Sequence, residues 1–158
     1  MMQRPMSSLI NINSGMFVYN HEIRVRYGDT DQMGYVYYGN YGYYFEQARV
    51  EAVRSSGVTY KEIEESGTFM PITRMNIKYI KPAHYDEMLT IKAYIPQLPN
   101  RILIFKYDVY NENKELINEG ETHMIFVDVH SRKIKTVPNI LLDKIKPFFN
   151  YPAKNIAA

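Results

Sequence analysis

The chain has 158 residues with 19 basic and 17 acidic side chains, a formal net charge of +2, and 46% hydrophobic residues. That length suits one domain with one core, and the apolar content excludes a largely disordered chain. So even a charge balance excludes a protein built chiefly to neutralise a phosphate backbone, and no nucleic-acid partner is expected.

Cysteine is absent, which removes disulfides, thiolate metal sites and a cysteine nucleophile. No apolar run approaches the roughly 20 residues that cross a bilayer, so no integral membrane segment is expected. Residues 1–13 contain Arg4 but no apolar stretch before a small-residue cleavage site, unlike a signal peptide. The expected location is cytoplasmic. Residues 1–15 are polar and without period, and read as a disordered leader; residues 16–158 read as a single domain. Met16, just ahead of the first patterned segment, is a second candidate for the start of translation.

In residues 21–27, Ile23, Val25 and Tyr27 alternate with Glu22, Arg24 and Arg26, the pattern of a half-buried strand. Residues 28–39 are rich in turn-formers. Tyr41, Tyr44, Phe45, Ala48, Ala52 and Val53 then recur at helical spacing, with Glu46, Gln47, Arg49 and Arg54 mostly off that stripe, up to a stop at Gly57. Thr59 with Glu62 three residues later is a capping box for a second, short helix closed by Gly67.

Residues 69–80, 88–95, 102–110, 116–129 and 133–137 are rich in β-branched and aromatic residues and separated by turn signals, which predicts antiparallel strands joined by hairpins. Residues 138–149 suit a last helix with Ile140, Leu141 and Ile145 on one face. A long helix beside such a sheet buries its apolar stripe best across the concave face, so the fold class is α+β.

The chemistry-bearing segment is the loop from Gly28 to Asn40, where Asp29 and Asp31 stand between a strand and a helix start. A helix start offers unpaired N–H groups and a positive dipole end. A carbonyl oxygen placed there can develop negative charge, while a nearby carboxylate attacks the carbon or deprotonates a water. The same residues also suit plain turn and capping duty. His21, His84, His123 and His130 lack metal-ligand spacing, and no metal site is expected. There is no G-x-S-x-G elbow and no phosphate loop.

Arg24-Val25, Thr30-Asp31, Gly34, Val36 and Tyr41, at these spacings, resemble the signature of the 4-hydroxybenzoyl-CoA thioesterase family, which includes acyl-CoA thioesterases associated with the Tol-Pal operon. The likeness continues through Glu46 to Arg49 and through Lys81-Pro82-Ala83-His84-Tyr85-Asp86. It implies a hot-dog fold and hydrolysis of an acyl-CoA substrate to free acid and CoA, without a cofactor. Carried over by position, Asp31 is the catalytic carboxylate and the Tyr38 backbone N–H polarises the thioester carbonyl. Tyr37, Gly39 and Asn40 beside it are the expected substrate-binding residues. By residue type Asn40 is the better N-cap, whereas the resemblance starts the helical turn earlier and is followed here. Asp31 acts as nucleophile or as general base, and both remain open. The resemblance also implies a homodimer or homotetramer. Arg74, Lys78, Lys81, Arg101, Arg132 and Lys133 are unranked candidates for the CoA phosphates. Two other readings are a hot-dog hydratase, weakened because the loop has no histidine, and a non-catalytic acyl-CoA binding or sensing module.

Overall fold

The computed structural model describes residues 15–149. The leader expected over 1–15 therefore lies outside the described residues except for Gly15, as do residues 150–158.

The chain opens with β1 (Phe17–Arg24), followed by α1 (Tyr41–Ser55) and α2 (Tyr60–Glu65). Then come β2 (Thr68–Phe69), β3 (Ile72–Tyr79), β4 (Met88–Ile95), β5 (Ile102–Tyr110), β6 (Leu116–Asp128), β7 (Ile134–Lys135) and α3 (Asn139–Ile145). All seven strands form one sheet, running β1-β4-β5-β6, with β2, β3 and β7 also paired to β6. Every pairing is antiparallel. No helix among the described residues is long and apolar enough to cross a membrane.

The alternation in β4 and β5 gives the sheet one fully buried face and one partly exposed face. On the buried face lies α1, whose Tyr41, Tyr44, Phe45, Ala48, Ala52 and Val53 are all buried, as their spacing predicts. Phe45 stacks on Tyr107 with ring centroids 4.3 Å apart. It also lies so close to Gly120 that a Cβ there would stand 2.3 Å from the ring. A glycine in the middle of β6 is thus what lets the helix approach the sheet. The Thr59 cap and its reciprocal bond with Glu62 form as expected.

Several expectations are corrected. The opening strand begins at Phe17 and ends at Arg24, not over 21–27, because all eight residues pair with β4. Beyond it the Asp29 carboxylate draws in the Arg26 N–H and forms a 3-10 turn, leaving Tyr27 79% exposed. The strand expected over 69–80 is broken into β2 and β3 around Pro71, which has no N–H for a ladder. Ile140 is exposed, while Leu141 and Ile145 are buried. Arg49 belongs to the buried face of α1. Its Nη1 donates to the Tyr107 hydroxyl at 3.1 Å, and that hydroxyl lies 2.7 Å from Thr122 Oγ1. Phenol and hydroxyl partners let the long cation enter a core that spacing alone assigned to apolar side chains.

Candidate active site

Asp29 organises the loop between β1 and α1. Its carboxylate accepts from the Arg26 N–H at 3.0 Å, the Arg26 guanidinium at 3.0 Å and the Tyr44 hydroxyl at 2.9 Å. Burial alone would raise this carboxyl, but the bonds from Arg26 and Tyr44 outweigh it and hold the group below its ordinary value of 3.8. The Asp29 carbonyl accepts from the Tyr37 N–H and from Asn40 Nδ2, both at 2.9 Å. Asp29 thereby ties the start of the helical segment to the end of the first strand.

Asp31 opens a tight turn. The Gly34 N–H donates to the Asp31 carbonyl at 3.0 Å, and Gly34 sits at φ +78°, a conformation that favours glycine. One carboxylate oxygen, Oδ1, accepts from the N–H groups of Met33 at 2.9 Å and Tyr35 at 3.3 Å. The other, Oδ2, receives no hydrogen bond from the described residues. Half of this carboxylate is a turn stabiliser and half is uncommitted.

The helical segment begins as a 3-10 turn, Tyr38–Asn40, that runs directly into α1. Asn40 occupies the N-cap position of α1, as its residue type suggests, but its side chain makes no capping bond, and the helical run itself begins earlier, in the 3-10 turn at Tyr38. The N–H groups of Tyr38 and Gly39 have no acceptor among the described residues. On the far side of the turn the Tyr79 hydroxyl donates to the Tyr38 carbonyl at 3.0 Å.

These parts meet in a cleft of about 360 Å³ lined by Asp31 and Tyr38, with Tyr35, Tyr41, Tyr79 and Lys81 among its other walls. Burial, with a smaller contribution from Tyr79, pushes the Tyr41 phenol up to about 12. Met33, Val36, Ile80 and Pro82 add apolar area to the rings around Asp31 and Lys81. A hollow of about 330 Å³ on the opposite sheet face is lined by Lys106, Asp108, Glu119 and Glu121 and has no helix start beside it. Among the described residues no histidine lines the cleft, and no group of three or more acidic or histidine side chains could hold a metal.

A description of the thioesterase-like superfamily matches residues 25–145. The putative acyl-CoA thioesterase YneP of Bacillus subtilis is 36% identical over 75% of this chain and 86% of its own. The acyl-CoA thioester hydrolase YbgC of Escherichia coli is 29% identical over 78% and 92%. The crystal structure of a DHNA-CoA thioesterase from Staphylococcus aureus superposes with a TM-score of 0.72, at 32% identity, over 75% and 80% of the two chains. The chain belongs to the thioesterase-like superfamily. Its sheet with one long helix laid across it is that superfamily's hot-dog fold.

Within this superfamily member, the residues singled out in the sequence separate into two groups. Asp31 and Tyr38 line the cleft together. Tyr37, Gly39 and Asn40 are not among the residues that line it. The Tyr37 ring packs on Tyr38 at 4.7 Å, Gly39 is covered by the Tyr37 ring, and the Asn40 amide is engaged by Asp29. Of the basic candidates only Lys81 reaches the cleft, and it pairs with Glu115 at 2.8 Å. Tyr79, the last residue of β3, and Ile80 just after it also line the cleft, nearly forty residues along the chain from the signature loop. Their only local signal is an apolar pair ahead of Lys81-Pro82.

Proposed function

We propose that this protein hydrolyses acyl-CoA thioesters to a free acid and CoA, with the Tyr38 N–H polarising the carbonyl and Asp31 supplying the carboxylate. The observation that carries the reading is one cleft holding both a half-committed carboxylate and an unpaired helix-start donor. Negative charge gathering on the carbonyl oxygen in the tetrahedral state meets the unpaired N–H and the positive end of the helical segment. Asp31 Oδ1 is held by two backbone donors, so Oδ2 is aimed without further ordering. It either attacks the carbonyl carbon or takes a proton from the attacking water. The thiolate of CoA then leaves as the tetrahedral state collapses; in the first route water next cleaves the acyl–Asp31 anhydride, releasing the acid and restoring the carboxylate. The names of YneP and YbgC support an acyl-CoA substrate, and the signature around Asp31 supports the 4-hydroxybenzoyl-CoA subtype. Lys81, at the cleft, is the basic residue best placed for the anionic end of CoA. A cytoplasmic setting belongs to the same proposal.

Pairing of two subunits along β3 is a further part of it. On its far side β3 has no partner among the described residues, and Ile72, Met75 and Tyr79 along it are about half exposed. The cleft borders that strand, so a partner would lie close to both sites.

The test is thiol release from aromatic, short-chain and long-chain acyl-CoAs, with Asp31→Asn beside the natural protein. The variant should keep its fold and lose about 10²–10⁴-fold in turnover. Unchanged turnover would remove Asp31 from the mechanism. Stable acyl-CoA binding with no thiol released by the natural protein would mark a binding module instead.

A further inference from the structure

We propose that Tyr79 is a positioning residue for this hydrolysis, its hydroxyl holding by the main-chain carbonyl the same Tyr38 whose N–H faces the thioester carbonyl. The inference rests on the reading above. Tyr79 is the last residue of β3, paired in register with Asn118 of β6, so its backbone belongs to the sheet rather than to the loop. Its hydroxyl donates to the Tyr38 carbonyl at 3.0 Å. That carbonyl belongs to the residue whose own N–H is the proposed donor, so holding it limits how far Tyr38 can rotate. A bond accepted at the oxygen fixes the plane of the peptide that follows Tyr38 and so restrains that residue from its C-terminal side.

Among the described residues, hydrogen bonds hold the turn from two directions. On one side the Asp29 carbonyl holds the Tyr37 N–H and the Asn40 amide. On the other, Tyr79 holds the Tyr38 carbonyl. Removing the hydroxyl deletes the Tyr79 anchor from the Tyr38 carbonyl and loosens that side of the turn. Oxyanion donors lose much of their effect when displaced by a fraction of an ångström.

Ring and hydroxyl have separable duties. The ring makes edge contacts with Tyr41 at 5.6 Å and Tyr38 at 6.4 Å and lines the cleft. The hydroxyl alone hydrogen-bonds to the turn. Tyr79→Phe keeps the first duty and deletes the second, whereas Tyr79→Leu removes both.

The experiment compares thiol release by the natural protein, Tyr79→Phe, Tyr79→Leu and Asp31→Asn. It adds binding of two non-hydrolysable acyl-CoA analogues: a ketone that keeps the carbonyl, and a thioether that lacks it. For Tyr79→Phe, kcat should fall about 10-fold with KM within about twofold, the signature of an interaction lost in the transition state. The ketone should bind that variant several-fold more weakly and the thioether unchanged, a difference that general loosening of the fold would not produce. Tyr79→Leu should add a several-fold rise in KM. Natural kcat in Tyr79→Phe, a loss confined to KM, or equal weakening of both analogues overturns the inference. If Asp31→Asn is inactive while Tyr79→Phe behaves as natural, only this inference fails. If Asp31→Asn is fully active, the hydrolase reading fails first.

Discussion

Asp29 and Asp31 stand two residues apart in one loop and do opposite things. Asp29 is 5% exposed and spends both carboxylate oxygens on Arg26 and Tyr44, so it shapes the loop. Asp31 keeps one oxygen free at the cleft. Asp29→Asn should therefore cost stability more than chemistry, about 1–3 kcal/mol for weakened bonds to a charged group, with a smaller fall in turnover than Asp31→Asn shows. The pH dependence has a definite sign. Asp29 is held below its ordinary 3.8 in the folded protein, so it stabilises the fold fully above that value. The contribution fades as pH falls from 3.8 through the lower folded value. Denaturant unfolding at pH 7 and again near pH 3 should show the gap between natural protein and variant closing in acid. A gap of constant size would contradict the ionic role given to Asp29.

At the scale of elements, the seat of α1 on the sheet depends on one small residue. Gly120 faces Phe45, and an added methyl would meet the ring at 2.3 Å, well inside contact distance. Gly120→Ala should destabilise by about 1–3 kcal/mol through overpacking. Trimming the ring in the pair Gly120→Ala with Phe45→Leu should return part of the loss, since neighbours that share a contact are not additive. Chemical denaturation of the four proteins in the cycle checks this, and simple additivity would mean that the helix slides freely. The same element carries Arg49, whose charge is buried among Tyr107, Tyr60 and Thr122. Burial disfavours that charge, yet the phenols around it outweigh the penalty and hold the guanidinium firmly protonated.

For the whole molecule, the exposed margin of the sheet is the decisive feature. Met75 is 48% exposed at the centre of β3 while its thioether end lies against Gly42 of α1. A charge at that position would be desolvated by a partner strand but solvated in a lone subunit. Met75→Glu should therefore weaken self-association at least tenfold while leaving the single subunit folded. Sedimentation velocity over a concentration series distinguishes the two states. A natural protein that sediments as a monomer at high concentration would remove the pairing proposal.

Periodicity and turn chemistry were enough to read most of the fold. Helical spacing picked out the buried stripe of α1, β-branched and aromatic runs between turn signals bounded β4 and β5, and Thr59 with Glu62 marked a helix start, because each is a short-range rule carried by the residues themselves. The loop signature likewise brought Asp31 and Tyr38 forward. What remained hidden depends on distant partners. The full length of β1 is defined by β4, the burial of Arg49 by phenols on β5 and α2, and the need for Gly120 by a ring on α1. Tyr79 reaches Tyr38 only after β3 has been laid beside β6, a contact across 41 residues of chain. Local rules determine which elements form, whereas contacts between sheet and helix decide which side chains share a site.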